Sequence, residues 1–240
     1  LKMSRTDPTD KDAKPVNGTV YITADKATSL WDPEKKGESG SHIIYRGDKQ
    51  LLWIITDGDK KYTEMTKESI DKLGGQVDEA MAKMKKEMEG MSPEQRAMME
   101  KMMAGMGGGA AKPPERVVKK TDDSKTINGF PCTRYLVSLD GKASSEIWAA
   151  PFEKLELKRA DLKIFEDMIK LFDGLLSRFK GMSKRGQGMV NSDGIDGVPI
   201  QTTTFDSDGK PNGVTNLESV TRGAVDAKLL EQPMAAAIGA

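Results

Sequence analysis

Polar and apolar positions divide the chain into stretches of different period. The first fifteen residues are polar, contain Pro8 and Pro15, and read as an irregular arm. Alternation begins in VNGTVYITA, residues 16–24, where Val20, Ile22 and Ala24 face one way and Thr19, Tyr21 and Thr23 the other, as in a half-buried strand. HIIYRG at 42–47 and LLWIITDGDKKYTEM at 51–65 continue in the same style. Asp57, Gly58 and Asp59 supply a turn between two runs of an antiparallel meander.

The period changes over 66–106. Ile70, Leu73, Val77, Met81, Met84, Met88 and Met91 recur at spacings of three and four, which sets them on one face of a helix. Ser92, Pro93 and Gln95 announce a second helix, with Met98, Met99, Met102, Met103 and Met106 at helical spacing until Gly107 ends it. Together they predict a helical hairpin with methionine on its inner side. Strand signals resume at 115–120 and 125–150, with the turn dipeptides Asn128-Gly129 and Asp140-Gly141. A third helix is predicted over 157–180, with Leu162, Phe165, Ile169, Phe172, Leu176 and Phe179 on one stripe, before strands at 197–205 and 213–225. Helices set between hairpin-connected strands predict one α+β domain, residues 16–233, with a mostly antiparallel sheet covered on one face. Residues 234–240 read as a tail.

Composition narrows the function. With 37 basic and 37 acidic residues there is no net field to draw nucleic acid or an anionic membrane. No apolar run approaches the ~20 residues of a membrane span, and residues 1–15 lack the zones of a signal peptide, so the chain reads as cytosolic or as a mature chain whose leader is gone. Cys132 and His42 are the only residues of their kinds, so no cysteine zinc cluster, histidine-centred metal site or Ser-His triad can be assembled. DSDGKPNG and NSDGIDG lack the glycine and glutamate positions of a calcium loop, and MGGGAA lacks the Lys-Ser/Thr ending of a phosphate loop. No catalytic residue, cofactor or metal is assigned, and the chain reads as a non-enzyme.

The order of IIYRGDKQLLWIITDGDKKYTEM, MSPEQRAMMEKMM, TINGFPCTRYLV, EIWAA and LLEQP resembles an exported bacterial family, domain of unknown function 4412. That family is similar in strand layout to the lipoprotein-carrier half-barrel. The resemblance implies a curved sheet wrapped around helices, an apolar cavity, export to the periplasm or beyond, and no catalytic residues. Lipoprotein relatives open on a lipidated cysteine whereas this chain opens on Leu1, so no lipid anchor is carried over.

Nine of the fifteen methionines lie in 81–111, and three readings of them stand. Met81, Met84 and Met88 could ligate a soft ion such as Cu(I). The stripe could form an adaptable face for a lipid-like ligand or partner segment, or it could fill the seam between helices and sheet. A binding module would place Leu51, Trp53 and Ile55 of one strand face beneath Met84, Met88, Met98 and Met102, around a cavity of roughly several hundred Å³. Its partner would be an apolar small molecule or a protein segment. A structural subunit would instead join copies into a homo-oligomer or homopolymer through its terminal segments.

Overall fold

The computed structural model describes residues 1–35, 37–56, 61–90, 92, 94, 115–176, 194–231 and 236–237. Twelve strands form one sheet: β1 (Lys2–Thr6), β2 (Val16–Ile22), β3 (Lys26–Trp31), β4 (Ser41–Arg46), β5 (Leu51–Thr56), β6 (Lys61–Thr66), β7 (Arg116–Ile127), β8 (Phe130–Leu139), β9 (Lys142–Ala150), β10 (Val198–Phe205), β11 (Pro211–Ser219) and β12 (Ala236–Ala237). Their spatial order is β12-β6-β5-β4-β3-β2-β1-β11-β10-β9-β8-β7. Neighbours from β6 through to β7 are antiparallel, and the β12–β6 pair is parallel. Helix α1 (Lys67–Glu89) lies between β6 and β7 in sequence, and helix α2 (Lys163–Leu176) between β9 and β10. The α+β class and the mostly antiparallel sheet are as the pattern predicts.

The opening residues are not an arm. β1 sits mid-sheet, hydrogen-bonded to β2 on one side and β11 on the other, and so joins the β2–β6 meander to the β7–β11 meander. Its polar sequence hid it, because a strand paired on both sides can be held by ladder bonds with few apolar contacts. Met3 is its core residue, and Ser4, also buried, donates to Glu218 at 2.5 Å. β3 was hidden likewise, since KATSLW is half hydroxyl and small. Gly18 is required where β2 meets β3: a Cβ there would lie 2.5 Å from the Trp31 ring.

Asn128-Gly129 and Asp140-Gly141 make the two hairpin turns, all four residues at positive φ of 50° to 82°. Register shifts between Val137 and Ser138, Pro199 and Gln201, and Thr204 and Phe205 bend and twist the second meander. The first shift takes Leu139 out of the phase that buries Tyr135 and Val137.

Helix α1 begins where Thr66 and Ser69 cap each other: the Ser69 N–H donates to Thr66 Oγ1 at 3.1 Å and the Thr66 N–H to Ser69 Oγ at 2.9 Å. Among its described side chains Ile70 and Gly74 are buried, Leu73 is 40% exposed, and Met84 is half-buried. The second arm of the expected hairpin, with Met98 and Met102, lies outside the described residues. The expected helix over 157–180 is shorter at its start. A 3-10 turn at Phe152–Leu155 is stopped by Glu156 at φ 55°, a second spans Arg159–Leu162, and only then does α2 run. Asp161 accepts the Lys158 N–H at 2.9 Å and fixes that restart.

Candidate partner-binding site

Cross-strand pairing sorts the β3–β6 side chains onto two faces. The rows Ala27, Tyr45, Leu52, Met65 and Ser29, Ile43, Ile54, Thr63 lie on one face. Here Ala27, Tyr45 and Leu52 pack on Ile164 of α2, bordered by Ile22, Ile43, Met65, Phe165, Met168 and Leu171. This is the helix face. The rows Thr28, Ile44, Trp53, Glu64 and Leu30, His42, Ile55, Tyr62 lie on the other. It carries a second apolar cluster, Ile44, Leu51, Trp53, Ile55 and Tyr62.

Leu51, Trp53 and Ile55 therefore share a face, but it is opposite the one that packs on α2. Among the described residues no core cluster joins them to Met84, and the side chain of Met88 lies outside those residues. The cause is in LLWIIT. An apolar run with both faces covered has no alternation, so its parity cannot be read. Leu52 and Ile54, not Leu51 and Trp53, face the helices. Of the predicted α2 stripe Phe165 is in the seam, Leu162 packs on a different cluster, and Phe172, Leu176 and Phe179 lie outside the described side chains. Ile164, Met168 and Leu171 join Phe165, because the helix is apolar over a wide arc.

Among the described residues the helix face is incompletely closed. Ile54 is 37% exposed beside half-buried Ile43, and the rim residues Met65, Met168 and Leu171 are themselves only half-buried. Two of the rim positions are methionines, which repack readily around another apolar surface. An open depression of about 600 Å³ exists elsewhere, lined by Phe152, Glu153, Glu156, Leu157, Lys158, Arg159 and Asp196, and contains none of the expected lining residues.

A strap closes the other face. The segment Asp226–Glu231, whose Ala227–Leu230 part is a 3-10 turn, packs on β3 and β4 with Leu230 buried. Glu231 accepts from Lys26 Nζ at 3.1 Å and from Arg46 at 2.8 Å. The Arg46 side chain, 5% exposed, also grips Asp48 through two bonds of 2.8 and 2.6 Å and lies 6.0 Å over the Trp53 ring. Trp53 Nε1 donates to Glu64 at 2.7 Å. The Lys26 and Arg46 cations hold the Glu231 carboxyl below the usual carboxylate range, and Arg46 does the same for Asp48. Burying one leucine is worth about 1.5–3 kcal/mol, so the strap is a lightly held cover.

No family model matches the chain, and no curated protein matches it. The resemblance to domain of unknown function 4412 thus rests on its motifs. Among solved structures the chain is similar to an uncharacterized conserved protein from Thermus thermophilus, at 9% identity and a TM-score of 0.48, over 99% of this chain and 88% of that one. It is also similar to MucB, at 6% identity and a TM-score of 0.38 over 98% of this chain, and to the MucA/MucB complex of Pseudomonas aeruginosa, at 7% and 0.37 over 96%. The chain spans only 56% and 54% of those two. No residue role is carried across from any of them.

The remaining chemistry is muted. His42 Nε2 lies 3.1 Å from Thr28 Oγ1. Cys132 is buried, donates to the Phe130 carbonyl, and has its thiol pushed up by that burial. Among the described residues there is no group of His, Cys, Asp and Glu suited to a metal, and no helix long and apolar enough to cross a membrane.

Proposed function

We propose that this chain is a non-catalytic, exported binding module of the kind the domain-of-unknown-function 4412 resemblance implies, taking an apolar small molecule or protein segment against the helix face of a half-barrel sheet. One observation carries the reading: Ile54 stands exposed next to a seam whose rim, Ile43, Met65, Met168 and Leu171, is apolar and only half-buried. An apolar partner laid there would remove that surface from water and meet side chains able to reshape. The periplasm or the cell exterior is the compartment proposed. The burial of the Cys132 thiol, which pushes it away from the reactive thiolate, is consistent with binding rather than nucleophilic catalysis there.

The test is native mass spectrometry of the protein purified gently from its own envelope fraction, beside its Ile54→Asp variant. A co-purifying apolar molecule or peptide on the wild type, lost from a variant that keeps the wild-type circular dichroism spectrum, is the expected result. A wild-type chain that carries nothing and gains no mass with added lipid or apolar peptide would overturn the reading.

A further inference from the structure

The seat of the strap is built like a site for an extended segment. It offers a buried position for an aliphatic side chain, taken by Leu230, and immediately after it two cations for a carboxylate, taken by Glu231. Further along, the edge of β6 accepts a parallel strand, Ala236–Ala237. An aliphatic-acidic pair followed by an edge strand is the chemistry of peptide addition to a sheet, with side-chain recognition setting the register.

The seat also lies on one face of β3 and β4, outside the sheet's hydrogen-bond ladder. Losing β1 would open the sheet between β2 and β11, whereas losing the strap uncovers one leucine position and two cations and leaves the sheet ladder intact. The tether is short: Arg222 is anchored on the Glu156 carbonyl and on Asp161, and Gly223, Ala224 and Val225 alone separate it from the strap. At the opposite edge of the sheet, β7 carries Lys119, Lys120, Asp122, Asp123 and Lys125 with a register shift, features that discourage strand addition.

We infer that the strap seat is an interface between copies of this chain: Asp226–Glu231 and β12 of one copy dock on β3, β4 and the β6 edge of the next, in place of that copy's own segment. The charge complementarity that holds the strap at home is identical for the strap of a neighbour, so exchange keeps every contact. It turns on the tether, which at short reach gives a local concentration on the order of millimolar for the chain's own strap. Because the donated and receiving surfaces differ, the contact is head-to-tail and propagates unless it closes into a ring.

Isotope mixing tests this directly. Equal amounts of ¹⁴N- and ¹⁵N-labelled chain are refolded together and treated with a water-soluble carbodiimide, which condenses Lys26 Nζ with Glu231 into an amide with loss of water. Mass spectrometry of the 26–231 cross-linked peptide then reports whether the two ends share an isotope. Deleting Gly223 and Ala224 shortens the tether's reach by about 7 Å, which pits the strap's docking on its own seat against the Arg222 anchor and favours a neighbour's seat. In that variant mixed-isotope pairs should equal the single-isotope pairs in abundance, and dimers or longer species should appear by light scattering at micromolar concentration. In the undeleted chain the mixed share should rise as concentration approaches the millimolar range. Single-isotope pairs only, in a folded deletion variant or in the wild type at its highest concentration, would overturn the inference. So would oligomers that survive Glu231→Arg.

Discussion

The two faces of the β3–β6 meander are closed by different means. On the helix face a regular amphipathic helix lays Ile164 onto Ala27, Tyr45 and Leu52 and leaves an apolar rim half open. On the other a short irregular strap contributes one leucine and one carboxylate, while the sheet beneath it carries a tight cluster centred on Trp53. The helix closure resides in packing, which tolerates salt and acid. The strap closure depends on placed charges, which do not. A sheet apolar on both faces thus gains one adaptable surface and one that can be switched.

Damage to the strap-face cluster should disturb this arrangement most. Trp53→Ala removes a side chain only 2% exposed and should cost about 3–5 kcal/mol, read as a lowered urea midpoint. Ile164→Ala should cost about 2–5 kcal/mol and release α2 from the sheet, with faster hydrogen exchange along 163–176 while β7–β9 stay protected. Leu230→Ala should lower only the free energy of strap opening, by about 1–3 kcal/mol, because the strap can lift without disturbing the core. Its signature is local: amides of β6 that pair with β12 lose protection while global unfolding hardly moves.

Acid sharpens the same contrast. The carboxyls of Glu231 and Asp48 are held below their unfolded values, so their stabilising contribution is complete above the unfolded carboxylate range, about pH 4, and fades as pH falls through the lowered folded values. Strap opening followed by exchange should therefore set in below about pH 4 in the wild type, and Glu231→Gln should show the opened state already at neutral pH. The smallest stability effect, about 1 kcal/mol, is expected for Ile54→Asp, whose side chain is 37% exposed and so keeps part of its hydration while it places a charge on the proposed binding rim.

How much of this was legible in the sequence follows from the same physics. Strands with clean alternation, such as Val16–Ile22, and hairpins with Asn-Gly or Asp-Gly turns could be read, as could the existence of α1 and α2. β1 and β3 could not: KMSRT owes its place to pairing with β11, distant in sequence, and KATSLW, held by ladder bonds between β2 and β4, is too polar and small to show an apolar period. The candidate site was half legible. LLWIIT announces a buried strand but not its parity: Leu52 packs in the α2 seam and Ile54 shares its face, while Leu51, Trp53 and Ile55 lie on the opposite one. The strap left only LLEQP as a trace, since an aliphatic-acidic pair means little until Lys26 and Arg46 are set beside it.

Which face meets an apolar partner is the central question, and photolabelling decides it. The folded chain is treated with an alkyl diazirine and the adducts are mapped by mass spectrometry. Adducts concentrated on Ile43, Ile54, Met65 and Met168, and reduced when a co-purified partner is present, are the predicted result. Labelling of Trp53, Ile55 and Tyr62 in the wild type at neutral pH, with the helix face left unmarked, would contradict it.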